Sequence, residues 1–395
     1  MRTPAPSSPA RGAGFALFAL GFRPFFLAAA WFAIGLIALW LTVLAGGLTP
    51  GWLAPGIWHG HEMLFGYGSA VIAGFLLTAV QNWTGLATPS GKPLAAIFLV
   101  WLAGRLAFFL PLPAMVLAAL DLAFLPLLAL VLARPLVQQR QLHNYPFPLL
   151  LAVLFVANAL VHGEALGATT GTASLGLDLA AYAIVVMIVI IAGRVIPFFI
   201  ETRLVGARPH RGKAAQGIAI VATVLGVAAS EWLPPGPLTA TLCLLAALIH
   251  VMRLAGWHDR RLWSVPLLWV LITGYAWIPI GFVLLAAASI GIPLAGTSAL
   301  HAFTAGAIGV LTLGMMARVS LGHTGRPMRA SPATAIAFAA VNMAALVRVF
   351  LPGAFPASYL GWIEVSGGLW IAAFAVFAVT HTALWLRPRV DGKPG

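Results

Sequence analysis

Two histidines and a glutamate open an apolar stretch long enough to cross a bilayer: Trp58-His59-Gly60-His61-Glu62-Met63, running on to Asn82-Trp83-Thr84-Gly85. Ionisable groups at membrane depth are costly and by default mark a functional site. Neutral imidazole is a ligand for haem iron, copper and zinc. Two further histidines fall at similar depth on other apolar segments: His162, with Glu164 beside it, and His301. On an α-helix His59 and His61 differ in direction by about 200°, so they do not face one ion unless the turn is irregular, whereas His59 and Glu62, three apart, share a face. On one reading His61 points to the bundle interior as a ligand, and His59 with Glu62 forms a second site or a proton path. His59, His61, His162 and His301 form the set of metal candidates, with Glu62 orienting a ligand or relaying protons.

An internal echo links two of them. The spacing His61-x4-Gly66-x7-Gly74-x9-Thr84-Gly85 recurs as His301-x4-Gly306-x7-Gly314-x9-Thr324-Gly325. Glycines at helical spacing admit close approach of another helix or of a flat macrocycle. The echo places His61 and His301 equivalently on two helices, the arrangement wanted for bis-histidine haem ligation. His59 and His162 are then candidates for copper or a second axial position.

The elements that position these side chains follow from composition. Of 395 residues, 61% are hydrophobic and 8% are charged, against roughly 25% charged in a soluble domain. Apolar runs of about 20 residues exclude a spanning barrel, whose strands are about 10 residues and alternate. The fold expected is all-α, a polytopic membrane bundle of about twelve transmembrane helices forming a single integral-membrane domain over 1–395. The expected spans are 22–45, 57–80, 94–110, 113–133, 147–167, 174–198, 215–233, 237–255, 263–288, 297–318, 333–351 and 360–386, the third being the shortest. With that count, all but Arg105 and Arg348 of the 22 basic residues fall on one side. By the positive-inside rule both termini are cytoplasmic, with 1–14 and 387–395 as flexible ends. The net charge of +13 serves topology and contact with the lipid bilayer, not nucleic acid. The single cysteine, Cys243, allows no internal disulfide and reads as a small apolar side chain.

These motifs resemble the NnrS family of bacterial membrane proteins. The resemblance is carried by Gly21-Phe22-Arg23-Pro24-Phe25-Phe26, by His59 to Gly66, by Gly74-Phe75-Leu76-Leu77-Thr78-Ala79 with Asn82-Trp83-Thr84-Gly85, by Gly193-Arg194-Val195-Ile196-Pro197 and by Leu321-Gly322-His323-Thr324-Gly325-Arg326. It implies a multi-pass protein of the bacterial inner membrane linked to nitric oxide metabolism, denitrification and nitrosative stress, carrying haem b and copper. Likeness to haem–copper oxidases is thinner, because the paired histidines of their seventh span and the His-x3-Tyr of their sixth are missing here.

The function expected is a haem-binding, haem/copper inner-membrane protein that binds or processes nitric oxide or a similar diatomic, with an unidentified electron donor should it be a nitric oxide-handling oxidoreductase. The leading ligand pair is His61 and His301. The alternative is a polytopic transporter of a metal ion or small metabolite with an outer His/Glu site, and a third class is a haem-bearing sensor or insertion factor.

Overall fold

Long apolar runs punctuated by proline and glycine become helices, and no strand occurs among the described residues. The computed structural model describes residues 14–47, 51–293 and 295–393; most of the N-terminal segment 1–14 lies outside them. In chain order the α-helices are α1 Phe22–Leu44, α2 Pro55–His61, α3 Ser69–Thr84, α4 Lys92–Ala107, α5 Ala114–Leu122, α6 Phe124–Gln138, α7 Pro146–Ala165 and α8 Thr172–Arg203. They continue with α9 Lys213–Trp232, α10 Pro237–Trp257, α11 Pro266–Ser289, α12 Ala295–His301, α13 Val310–His323, α14 Pro332–Ala354 and α15 Tyr359–Leu386. Several begin with proline in the first turn (α2, α4, α7, α10, α11 and α14), where its missing N–H costs nothing and its fixed φ suits a helix.

Joined through short non-α segments, these helices make twelve crossings, as the apolar pattern predicts. Eleven are long and apolar enough to span a bilayer. The twelfth is α4, only 16 residues. At its start the Gly91 amide donates to the Phe18 carbonyl at 2.7 Å, beside the start of α1. At its end Arg105 reaches Glu62. The short helix therefore joins the same two layers as its longer neighbours.

The crossing that begins with the histidine motif is the bundle's centre. In Pro55–Thr84, 83% of the apolar stretch is buried inside the protein, against 28% in α9 and 33% in α1 and α10. Around it pack α1, α6, α8 and α13, and α8, α11 and the α12–α13 crossing are the next most buried. The remaining helices turn more of their surface outward, toward lipid.

Two crossings are interrupted by π-helix, over Glu62–Gly68 between α2 and α3 and over Ala302–Gly309 between α12 and α13. Each π turn takes an extra residue and re-aims the side chains around it, and such turns are frequent at functional sites. On the inner side, Arg23 donates to the carbonyls of Leu384, Trp385 and Arg387, satisfying the end of α15. The segment after α15, expected to be flexible, is hydrogen-bonded: Val390 N–H donates to Thr324 O at 3.1 Å and Arg389 to His323 O at 2.8 Å.

Candidate metal centre and the adjoining cavity

The last residue of α2 and the first of the following π segment bring His61 and Glu62 into a buried polar cluster. His61 Nδ1 lies 2.9 Å from Glu62 Oε1. On its other side, Nε2 lies 2.9 Å from Asn158 Oδ1 and 3.1 Å from Asp121 Oδ2. His162 Nε2 is 2.7 Å from the same Asp121 oxygen, and the Asn158 amide donates to it at 2.7 Å. Arg105, from the end of α4, donates to Glu62 at 2.7 Å and pairs with Asp121 Oδ1. Every one of these residues is nearly inaccessible, His61 at 0% and Asp121 at 2% exposed.

The hydrogen bonds of the cluster give His61 more acceptors than a neutral ring has donors. The Asn158 amide is oriented by its donation to Asp121, so its oxygen faces His61. Both nitrogens of His61 thus face acceptors, yet a neutral imidazole carries one N–H. One of these contacts requires a second proton or a cation in its place. The charge count agrees: with neutral imidazoles, Glu62 and Asp121 outnumber Arg105 by one. Ligand atoms of His61, Asp121 and His162 all lie within 4.8 Å of one another, and this is the one such group among the described residues. Two imidazoles and a carboxylate suit a first-row transition metal, with copper, iron and zinc all compatible and no thiolate present. His162 Nδ1 has no hydrogen-bond partner, and its ring meets Trp52 at 4.8 Å.

His59 and His301 belong elsewhere. His59 stacks on Trp40 at 4.4 Å and, with His301 and Arg348, lines a cavity of about 200 Å³ enclosed by α1, α2, α12, α14 and α15. The Nδ1 of His301 donates to the carbonyl of Thr297 at 2.8 Å, which fixes the tautomer and leaves Nε2 as the lone-pair nitrogen. His59 Nδ1 has no hydrogen-bond partner.

Among the candidates named from sequence, then, the structure makes two pairs: His61 with His162, and His59 with His301. The expected pairing of His61 with His301 is not made. The reason is the opposed direction of His59 and His61: when His61 turns to α5 and α7, His59 faces α12. Glu62 takes its place beside His61, not His59. The macrocycle reading of the glycines also fails. A Cβ on Gly66 would sit 2.6 Å from Phe32, on Gly74 2.7 Å from Phe26, on Gly306 2.5 Å from Trp277 and on Gly314 2.9 Å from Val270. Side chains of the preceding helix, α1 or α11, fill both grooves.

Haem fits neither place as it stands. The side chains of the His61 cluster touch one another directly at 2.7–3.1 Å, and the cavity of about 200 Å³ lies below the roughly 300–1,000 Å³ typical of pockets for drug-sized ligands. A metal ion fits the first site, and a diatomic or a small ion fits the second.

A family model described as NnrS protein matches residues 16–389. The chain belongs to the NnrS family. Among curated proteins no match to the chain is found. In this NnrS-family protein the motif at His59–Gly66 thus divides between two sites, and the first depends on two residues that sequence reasoning passed over. Asp121 and Asn158 each sit alone inside an apolar run. The legible signal was Asp121 itself, since a lone carboxylate within a span is a site by default. The inner histidines have structural partners: His250 bonds Tyr275 and Thr223, and His381 lies against Phe377.

Proposed function

We propose that this multi-pass membrane protein of the NnrS family is a metal-containing nitric oxide-handling protein of the bacterial inner membrane, its metal held by His61, Asp121 and His162. The observation that carries the reading is the imidazole of His61 with an acceptor at each nitrogen, a place that a metal ion fills as well as a proton does. Copper is the metal proposed. It accepts imidazole and carboxylate ligands, and when bound it supplies a redox-active centre able to take a diatomic as a further ligand.

The chain's own groups do the rest. Arg105 holds Glu62 and Asp121 in place and offsets one of their two charges. Glu62 bonds the Nδ1 side of His61, which orients the ring and raises its basicity toward a metal at Nε2. Nitric oxide is uncharged and partitions into lipid. A second, apolar cavity of about 80 Å³ between α3, α8 and α13, lined by groups such as Ile184, Met187, Leu311 and Met315, is large enough for a diatomic.

The test is metal analysis and optical and electron-paramagnetic spectroscopy of the purified protein. The expected result is about one copper per chain, perturbed by nitric oxide and lost in His162→Ala. A metal-free protein, or full copper in His162→Ala, overturns the assignment. A Soret band that shifts with nitric oxide would place haem in the protein and require the His59–His301 cavity to open further than it does here.

A further inference from the structure

Of the two cations on the outer side, one is neutralised and the other is not. Arg105 has two carboxylates. Arg348, near the end of α14, is half-buried and takes part in none of the ion pairs among the described residues. Its side chain is hydrogen-bonded to Tyr359. Arg348 instead lines the cavity of about 200 Å³, together with His59, His301, Thr304 and Ser366. A guanidinium withdrawn from water without a counter-ion is costly, and here the space beside it is the cavity itself.

We infer that this cavity binds a small planar oxyanion of the nitrite class, with Arg348 as its cationic anchor. The guanidinium fork matches two oxygens on one centre and gives bidentate, charge-assisted hydrogen bonds. The hydroxyls cannot replace it as donors: Thr304 donates to Leu300 O and Ser366 to Ala344 O. His301 offers a lone pair at Nε2, because its N–H is committed to Thr297. An anion against that lone pair binds with a proton taken up between them, while His59, whose Nδ1 has no partner, has an N–H to donate. The volume of about 200 Å³ admits nitrite with room to spare, so the planar fork of Arg348, not size, carries the choice of ligand. This goes beyond the metal-centre reading and does not rest on it, because none of the residues involved belongs to the His61 cluster.

The experiment is calorimetric titration of the purified full-length protein in detergent with sodium nitrite, repeated in buffers of different ionisation enthalpy. Saturable binding with net proton uptake is expected. It should weaken about tenfold or more in Arg348→Gln, recover in part in Arg348→Lys and stay unchanged in His162→Ala; tenfold corresponds to 1.4 kcal/mol. Ala305→Phe, which fills the cavity and keeps the arginine, should abolish binding even if Arg348→Gln does not fold. A lipid-borne carboxylate presents the same head group, so octanoate is the second probe. No saturable nitrite binding, unchanged binding in Ala305→Phe, or tighter binding of octanoate than of nitrite would each overturn the proposal.

Discussion

Asp121 is the residue on which the buried cluster converges. One carboxylate meets Arg105, Asn158, His162 and His61, and none of these has water to fall back on. Removing one partner of a buried ion pair costs about 3–5 kcal/mol, because the other charge remains buried. Asp121→Asn is therefore expected to lower stability by about that much, as should Arg105→Gln, measured by denaturant unfolding in detergent. The double variant should cost clearly less than the sum, since each single change strands what the other removes. Strict additivity would show that the two do not share one network. A second residue-scale expectation concerns the inner surface, where the Arg389 guanidinium pulls Asp391 from its ordinary 3.8 down to about 2. A depressed carboxylate contributes stability above its unfolded value and loses it as pH falls through the folded one. The tail's attachment to Thr324 should hold at neutral pH and weaken between about pH 4 and 2. Asp391→Asn should reproduce the acid state at pH 7, read as faster exchange of the Val390 amide.

At the scale of elements, the echo between the second and tenth crossings proves to be a shared construction. Both begin with a short α-helix ending in histidine, pass through π-helix, and continue as α-helix to a threonine bonded to the carbonyl four residues back. Both then meet a left-handed glycine, Gly85 at φ 70° and Gly325 at φ 73°. Gly66→Ala and Gly306→Ala should each destabilise by about 1–3 kcal/mol, the usual cost of overpacking, while Gly35→Ala, which faces open space, should not. Thermal unfolding of the three variants checks this, and equal melting temperatures would deny the glycines their packing role. The same comparison shows what the sequence could carry. Helix positions were legible because bilayer thickness and proline fix them. The equivalence of the echoed glycines was legible from spacing. What spacing does not encode is direction: a matched position says that His61 and His301 sit alike on their own helices, not that the helices turn those faces together. Nor does it give partners such as Asn158, whose chemistry is ordinary until three helices bring it to a carboxylate.

For the whole molecule, α4 decides the topology. At 16 residues it is about 24 Å long, short of a hydrocarbon core of about 30 Å. Were it not a crossing, the count would be odd and every later loop would change sides, placing the cations after α6 outside. The hydrogen bonds at its two ends argue otherwise, since they tie Gly91 to the layer of Phe18 and Arg105 to the layer of Glu62. A short span is tolerated when the bilayer thins by a few Å or when flanking groups reach out. Here the bonds of Arg105 to Glu62 and Asp121 carry a charge at the helix end that lipid alone would not. The native cysteine is fully buried, so Cys243→Ser gives a clean background for labelling. In that background Ser90→Cys should react with a membrane-impermeant thiol reagent only from the cytoplasmic side, and Leu110→Cys only from the opposite side. Both residues are exposed in the folded chain, so a silent result at either would itself report a misplaced loop. Labelling of both from one face would make α4 a re-entrant segment. His61 and His162 would then enter their shared cluster from opposite sides of the membrane, which the distances in that cluster do not permit.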